Sequence, residues 1–316
     1  MSRPLVVITD HGFKGLRHEE AIIGTSVDLR VHQCRTEDDV IKAGAAAVAL
    51  LVQWAPITAR VIANLEQCRV IVRYGIGVDN VDVEAARRKG ITVCNVPDYG
   101  VNEVADHAVT LAITLARQVP FYDRDLQAGG WAPTARLEMP DFDQMVFGTF
   151  GFGRIARKVL ERVRAFGFRL IAHDPLVDAA TMRTLGVEKV QQDDLFAAAD
   201  ILSLHCPLTP ETRHVVNARR LALMKPQAVL VNTARGALVD TSALVEALHD
   251  NRIGFAGLDV FEEEPLPPQH PLRGAPRTVL TPHVAWYSTG SLDRLQRLAA
   301  EEIKRSLDGQ PLRCPV

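Results

Sequence analysis

The chain has 316 residues, of which 47% are hydrophobic and 23% are charged. This balance is ordinary for a globular protein and excludes a disordered chain. The 36 basic and 38 acidic residues give a formal net charge of −2, and no dense run of Lys and Arg creates a local positive surface. We therefore expect neither nucleic acid nor a membrane surface as a partner.

Length, apolar runs and cysteine positions indicate how the chain is organised and where it is located. Its length suits two domains of about 150 residues each. The longest apolar run, residues 43–52, is too short to cross a bilayer, and the N-terminus lacks the layout of a signal peptide, so we expect a cytoplasmic protein. The five cysteines are scattered without a C-x-x-C pair, which favours buried free thiols and predicts neither disulfides nor a metal site.

Short β-branched runs alternate with longer amphipathic stretches along the whole chain, a pattern typical of α/β proteins with parallel sheets. The first third contains five such runs, at residues 5–9, 27–31, 47–52, 70–73 and 91–94. A second series of six follows, at residues 145–150, 169–173, 201–205, 228–232, 255–259 and 279–281. This predicts two doubly wound parallel sheets, with a connecting helix over 101–119 that stops at Pro120 and a terminal helix over 291–308.

A glycine-rich turn follows the first strand of the second series and reads G-x-G-x-x-A, from Gly151 to Ala156. In a dinucleotide site, the first glycine allows a tight turn and the second, Gly153, lets the backbone approach a pyrophosphate. Asp174 lies 23 residues after Gly151, where a carboxylate can accept hydrogen bonds from ribose hydroxyls and repel a 2′-phosphate. This favours NAD over NADP, although purely structural turns at the glycines and at Asp174 are the alternative reading.

Three chemically active side chains follow later strands of the same series: Arg235, Glu264 and His283. Ligands of open α/β sheets bind beyond the carboxyl ends of the strands, where these residues lie. A histidine can exchange a proton with an alcohol or ketone near neutral pH, a carboxylate can orient it, and an arginine can hold a substrate carboxylate. Any one of them alone would be an ordinary exposed charge, but together they predict hydride-transfer chemistry.

Six segments resemble the D-isomer-specific 2-hydroxyacid dehydrogenases, and the resemblance covers nearly the whole chain. They are GIGVD at 75–79, GFGRI at 151–155, LHCPLT at 204–209, NTARG at 232–236, DVFEEEP at 259–265 and TPH at 281–283. The resemblance implies that Arg235 binds the substrate's carboxylate and carbonyl oxygen. It also implies that His283 is the general acid and base and that Glu264 holds and charges this histidine.

The resemblance further assigns binding residues. The backbone of Ile76 and Gly77 would receive the substrate carboxylate. The cofactor would contact Gly151, Gly153, Arg154, Ile155, Asp174, Pro207, Thr209, Thr233, Ala234 and Asp259. Arg73 and Trp286 look like the C-terminal-binding-protein branch of the family and would line the substrate pocket; the alternative is a surface arginine and an aromatic residue at a helix entry.

The architecture that the resemblance implies is a Rossmann NAD-binding domain, residues 101–285, inserted in a flavodoxin-like substrate domain, residues 1–100 plus 286–316. We expect an NAD-dependent oxidoreductase acting on a D-2-hydroxy acid and its 2-oxo acid, assembled as a homodimer and without an extra regulatory domain after Val316. A phosphorylated substrate is a second possibility. A different class of function is an NAD(H)-sensing, corepressor-like interaction protein with little or no turnover.

Overall fold

The structure, a computed structural model, describes residues 3–131 and 138–316. The chain divides into two compact units. Unit 1 comprises Met1–Gly100 and Ser288–Val316, and unit 2 comprises Val101–Tyr287. Each unit is built around one parallel β-sheet.

The described residues contain twelve strands and twelve α-helices. The strands are β1 Leu5–Ile8, β2 Asp28–Val31, β3 Ala49–Val52, β4 Val70–Arg73, β5 Thr92–Cys94, β6 Val146–Phe150, β7 Arg169–His173, β8 Glu188–Lys189, β9 Ile201–Leu204, β10 Val229–Asn232, β11 Phe255–Leu258 and β12 Thr278–Leu280. The helices are α1 Arg17–Ile22, α2 Glu37–Gly44, α3 Ala59–Ala63, α4 Val83–Lys89, α5 Val101–Ala116, α6 Val119–Gln127, α7 Arg154–Val163, α8 Ala179–Thr184, α9 Gln192–Ala198, α10 Ala218–Leu221, α11 Thr241–His249 and α12 Thr289–Leu307.

The sheet of unit 1 has the order β2-β1-β3-β4-β5, and its strand pairs are parallel. This is the flavodoxin-like order expected for it. All four residues of β3 are buried, as in central parallel strands that are covered on both faces. At the outer edge of β5, the C-terminal tail pairs antiparallel, with the Val316 amide donating to the Val93 carbonyl. The tail therefore covers an edge that would otherwise expose unpaired backbone groups.

A buried polar cluster joins α1, β4 and α12 within unit 1. The Tyr74 hydroxyl donates to Glu19 at 2.7 Å, and the Gln296 amide donates to the same carboxylate at 3.1 Å. Burial raises the pKa of Glu19 above its usual value, although these hydrogen bonds oppose the shift. The ring of Tyr74 packs edge-on against Phe13 at 4.9 Å. Tyr74 is therefore a core residue of unit 1.

The sheet of unit 2 has seven parallel strands in the order β12-β11-β10-β9-β6-β7-β8. The chain runs from β6 outward to β8 and then continues on the other side of β6 with β9, so the strand order reverses between β6 and β9. Six of these strands match the predicted series. The additional strand, β8, consists of two polar residues at the sheet edge, and a hydrophobic pattern cannot reveal such a strand. The reversal point is where doubly wound sheets bind their ligands, beyond the carboxyl ends of the strands.

Two helices differ from their predicted bounds. The helix predicted over 101–119 ends at Ala116 because Gln118 adopts a left-handed backbone, with φ of 55°. Pro120 does not stop a helix there but lies in the first turn of α6, where no main-chain N–H is needed. The terminal helix begins at Thr289, two residues earlier than predicted, because Ser288 and Ser291 form a reciprocal capping box. Among the described residues, no helix is long and apolar enough to span a membrane.

Candidate active site

The turn between β6 and α7 has the backbone that a dinucleotide site requires. Gly151 adopts φ of 101°, and a Cβ atom built on it would lie 2.7 Å from the carbonyl oxygen of His205. No other residue type fits that position without a shift of the backbone. A Cβ built on Gly153 would meet nothing within 4 Å, so the amino end of α7 opens onto free space. Main-chain N–H groups and the positive end of the helix dipole face an anion in such a position.

Asp174, at the end of β7, contributes to this turn. Its carboxylate accepts the main-chain N–H of Phe152 at 2.8 Å and that of Leu176 at 2.9 Å. Asp174 therefore has a structural role, because its carboxylate ties the glycine turn to the end of the neighbouring strand. A carboxylate offers about four acceptor sites, so two remain for other donors such as ribose hydroxyls.

The remaining residues predicted to contact the cofactor lie at the carboxyl ends of strands or at the start of α7. Arg154 is exposed in the first turn of α7, and Ile155 packs partly buried against the core. The Pro207 carbonyl accepts the Thr212 hydroxyl at 2.8 Å, and the Thr209 amide donates to that hydroxyl at 2.7 Å. These bonds shape the turn after β9.

The residues present fit a dinucleotide. The space beyond Gly153 and the spare acceptor sites of Asp174 suit its pyrophosphate and ribose. At the end of β10, the buried hydroxyl of Thr233 has no hydrogen-bond partner within residues 3–131 and 138–316. Buried hydroxyls are nearly always hydrogen-bonded, so this one is consistent with a ligand partner. No group of three or more His, Cys, Asp or Glu side chains in the described ranges is arranged to hold a metal ion.

His283 is held in a specific orientation by Glu264. Its Nδ1 atom lies 2.6 Å from Oε2 of Glu264, and the other carboxylate oxygen accepts the Phe261 amide at 2.9 Å. The histidine has a left-handed backbone with φ of 52°, and its amide donates to the Asp259 carbonyl at 2.7 Å. Nε2 has no partner among the described residues, and 44% of the side chain is exposed. The pair therefore presents one ring nitrogen to an incoming ligand.

The pKa of Glu264 is held below its usual value of 4.5 by its neighbours. Burial by itself would raise the pKa of this carboxyl, but the hydrogen bond and charge of His283, the Phe261 amide and the charge of Arg235 together outweigh burial. Glu264 is therefore ionised at neutral pH and can stabilise a positive charge on the imidazole.

Arg235 is positioned by residues that the sequence analysis did not single out. Asn232 is fully buried; its side chain accepts the Ala234 amide at 3.0 Å and donates to the Arg235 carbonyl at 2.8 Å. A Cβ built on Gly236 would lie 1.9 Å from the carbonyl carbon of Phe261. The loops after β10 and β11 therefore touch at Gly236, and this contact brings Arg235 near Glu264.

Asp259 organises the loop that carries His283. The side chain is completely buried, and it accepts the Thr281 hydroxyl at 2.6 Å and the amides of Val284 and Ala285 at 2.9 and 2.8 Å. His107, on α5, lies 3.0 Å from the Thr281 hydroxyl and was also not singled out from the sequence. The role predicted for Asp259 beside a nicotinamide stays a prediction.

Trp286 belongs to unit 2 and lies on the His283 loop. Its indole N–H donates to the His283 carbonyl at 2.9 Å, and its ring packs edge-on against Tyr287 at 5.7 Å. It is therefore fixed next to the histidine, and the role predicted for it in the substrate pocket stays a prediction.

Three of the residues predicted to bind the substrate, Arg73, Ile76 and Gly77, lie in unit 1. Arg73 ends β4, and its guanidinium lies over the glycine loop, since a Cβ built on Gly75 would be 1.4 Å from its Nη1. The Ile76 carbonyl accepts the side-chain amide of Asn95 at 2.7 Å. The main-chain N–H groups of Ile76 and Gly77 find no acceptor in residues 3–131 and 138–316. The loop therefore presents two unused donors beside a cation, as the binding of an anion requires.

These features define a doubly wound α/β protein with a dinucleotide-binding unit and a histidine–carboxylate pair at the carboxyl ends of its strands. Residues 109–285 match the family model described as D-isomer specific 2-hydroxyacid dehydrogenase, NAD binding domain. The chain belongs to this family. The family predicted from the sequence motifs is confirmed, and so is the fold of two parallel α/β units with NAD as cofactor.

Several known proteins resemble most or nearly all of the chain. D-3-phosphoglycerate dehydrogenase of Mycobacterium tuberculosis (strain ATCC 25618 / H37Rv) is 37% identical over 98% of this chain and 58% of its own length. Glyoxylate reductase of Aeropyrum pernix is 39% identical over 79% of this chain and 76% of its own length. The crystal structure of D-lactate dehydrogenase from Aquifex aeolicus, complexed with NAD and lactic acid, is 25% identical, with a TM-score of 0.87 and 96% of each chain covered. The chain thus spans little more than half the length of the phosphoglycerate dehydrogenases that it matches.

Proposed function

We propose that this chain is an NAD-dependent dehydrogenase that interconverts a D-2-hydroxy acid and the corresponding 2-oxo acid. The observation that carries the proposal is the 2.6 Å contact between His283 and Glu264, which leaves Nε2 open in the loop next to that of Arg235. The relatives above are named for reactions on small 2-hydroxy or 2-oxo acids, which supports the same class of substrate.

The residues perform complementary steps. When bound, NAD(H) supplies or accepts the hydride. His283 donates a proton from Nε2 to the carbonyl oxygen during reduction and removes it from the hydroxyl during oxidation. Glu264 keeps Nδ1 engaged and stabilises the charged imidazole. Arg235 binds the carboxylate and the carbonyl oxygen of the substrate, because a guanidinium offers several donors in a fixed plane.

The remaining roles are proposed on the same basis. Gly151, Gly153, Arg154 and Ile155 hold the pyrophosphate, and Asp174 holds the ribose and disfavours NADP. Other cofactor contacts come from Pro207, Thr209, Thr233, Ala234 and Asp259. For the substrate, Ile76 and Gly77 supply main-chain donors, Arg73 a positive charge and Trp286 an apolar wall.

Two further statements about the protein remain proposals. We propose a homodimer, which the family resemblance supports and which sedimentation at several protein concentrations would test. The cytoplasmic location expected from the sequence stays a prediction. The corepressor-like alternative gains no support from the relatives reported above, which are named as dehydrogenases and a reductase.

The proposal is tested by following NADH oxidation with a panel of 2-oxo acids. The panel comprises glyoxylate, hydroxypyruvate, pyruvate, a branched acid, phenylpyruvate and phosphohydroxypyruvate, each repeated with NADPH. We expect turnover of at least one acid with NADH and slower turnover with NADPH. Tight NADH binding without turnover of any acid would contradict the proposal and favour a sensing role.

A further inference from the structure

Trp54 is a large apolar side chain placed at the carboxyl edge of the unit 1 sheet. It is 59% exposed and lies two residues after the end of β3. In the sheet, Val52 pairs with Arg73, and the Tyr74 amide donates to the Val52 carbonyl at 2.8 Å. Trp54 and Gly75 each lie two residues beyond that pair. Since neighbouring strands are about 4.8 Å apart, the backbone at Trp54 lies beside the start of the loop that carries Ile76 and Gly77.

Buried polar groups hold Trp54 in place. The Asp10 carboxylate accepts the amides of Trp54 at 2.6 Å and of Gln53 at 3.1 Å. Gln53 accepts the Gly12 amide at 2.9 Å, which ties the loop after β1 to the loop after β3. Only 4% of Asp10 and 3% of Gln53 are exposed. A buried carboxylate and a buried amide thus fix the backbone beneath an exposed indole.

The indole also lies against a residue without a side chain. A Cβ built on Gly12 would be 2.8 Å from Cη2 of Trp54, so the ring rests on the Gly12 backbone. A single exposed apolar residue is ordinary on a protein surface and needs no explanation by itself. A fixed aromatic ring between the loops after β1 and β3, where the strand order of this sheet reverses, has the properties of a ligand contact, because parallel sheets bind ligands at such a point.

The charges at this edge disfavour a second anionic group on the substrate. The loop residues 9–13 and 52–56 contain no Lys or Arg; the next basic residue is Lys14, which is exposed. Arg73 lies over Gly75, next to the loop proposed above to bind the substrate's carboxylate. Arginine forks and clusters of cations favour phosphate binding, whereas Trp54 provides an apolar face.

We propose that Trp54 is the wall against which the substrate's side chain packs, and that the substrate class is 2-oxo acids with an uncharged, apolar side chain, aromatic ones foremost. This inference rests on the proposed function. It separates the chain from its relatives named D-3-phosphoglycerate dehydrogenase, whose name specifies a phosphorylated substrate, and it makes Trp54 a specificity-determining residue.

The test compares kcat/KM with NADH for glyoxylate, phenylpyruvate and phosphohydroxypyruvate. The variants are Trp54→Ala, Trp54→Phe and the matched control Trp131→Ala, which removes an 86% exposed tryptophan of unit 2. We expect the wild type to prefer phenylpyruvate. Trp54→Ala should lower kcat/KM for phenylpyruvate about 10-fold or more and for glyoxylate less than about 3-fold, because glyoxylate has no side chain to contact the ring. Trp54→Phe should retain most of the preference, and the control should retain all of it.

Failure of this inference and failure of the proposed function would give different results. A wild type that reduces phosphohydroxypyruvate best, or a Trp54→Ala variant that loses activity equally on glyoxylate and phenylpyruvate, would overturn the inference and leave the proposed dehydrogenase intact. A wild type that reduces none of the acids would overturn the proposed function and this inference with it. Thermal unfolding and NADH titration of each variant separate a loss of folding from a change in specificity.

Discussion

Glu264 and His283 are 19 residues apart in the chain, yet Oε2 of the carboxylate lies 2.6 Å from Nδ1 of the ring. The contact joins the loop after β11 to the loop after β12, and it leaves the opposite ring nitrogen without a partner among the described residues. General acid–base catalysis at a carbonyl oxygen needs a proton-transferring side chain that is held in a fixed orientation. The carboxylate holds the histidine ring in this way.

Replacing the histidine tests its role in proton transfer. His283→Ala should lower kcat about 10²-fold or more while the Kd for NADH stays nearly unchanged, because the ring moves the proton and does not hold the dinucleotide. Steady-state rates and fluorescence titration with NADH measure the two quantities. Glu263→Gln is the matched control, since this exposed neighbour of Glu264 is outside the pair. Turnover of His283→Ala at the wild-type rate would refute the assignment.

Acidification should remove the stabilising effect of Glu264. The pKa of this carboxyl is lowered in the folded protein, so its charge favours folding above the ordinary value of 4.5 and ceases to do so as the pH falls through the folded value. Glu264→Gln should therefore unfold at a lower temperature than the wild type at pH 7, and the difference should shrink on acidification below about pH 4.5. Melting temperatures across this range provide the measurement. A difference that grows on acidification would contradict the lowered pKa.

Asp174 should determine the preference for NADH over NADPH. The variant that tests this must disturb the glycine turn as little as possible. Because its carboxylate also holds the amides of Phe152 and Leu176, Asp174→Ala would disturb the turn as well as remove the charge. Asp174→Asn removes the charge that repels a 2′-phosphate, and it keeps one acceptor oxygen for one of these two amides, because its NH2 group cannot accept the other. We expect the ratio of its kcat/KM with NADH to its kcat/KM with NADPH to fall about 10-fold, and its melting temperature to fall less than that of Asp174→Ala, which loses both hydrogen bonds. An unchanged ratio would show that other groups discriminate between the cofactors.

Gly236 should be intolerant of any side chain. A Cβ there would overlap the Phe261 backbone, so Gly236→Ala should cost about 1–3 kcal/mol of folding free energy and lower activity by moving Arg235 away from Glu264. Gly274→Ala provides the control, because a Cβ at that position meets nothing within 4 Å. Denaturant unfolding and turnover measure both effects. Equal stability of the two variants would rule out the close approach of the loops.

Sequence patterns predicted every strand of the described residues except β8, because β-branched runs are local signals. Motif residues such as Gly151 and His283 are local signals as well, and their roles stay predictions. Sequence patterns were insufficient for the groups that hold those residues. His107 and Thr281 are 174 residues apart in the chain and meet only through the fold. Likewise, Gly236 belongs to a motif segment, but its close approach to Phe261 depends on the pairing of β10 with β11.

The left-handed backbone of His283 has a consequence for how the chain can vary. Residues other than glycine and asparagine rarely adopt positive φ, and such a conformation costs on the order of 1 kcal/mol or more. The hydrogen bonds to Asp259 hold this conformation in the folded chain. His283→Gly would relieve this strain, but it would also remove the hydrogen-bonding partner of the half-buried Glu264. The loop can therefore carry a histidine at this position only while Asp259 and Glu264 compensate for its backbone conformation, and substitutions at these three positions are coupled.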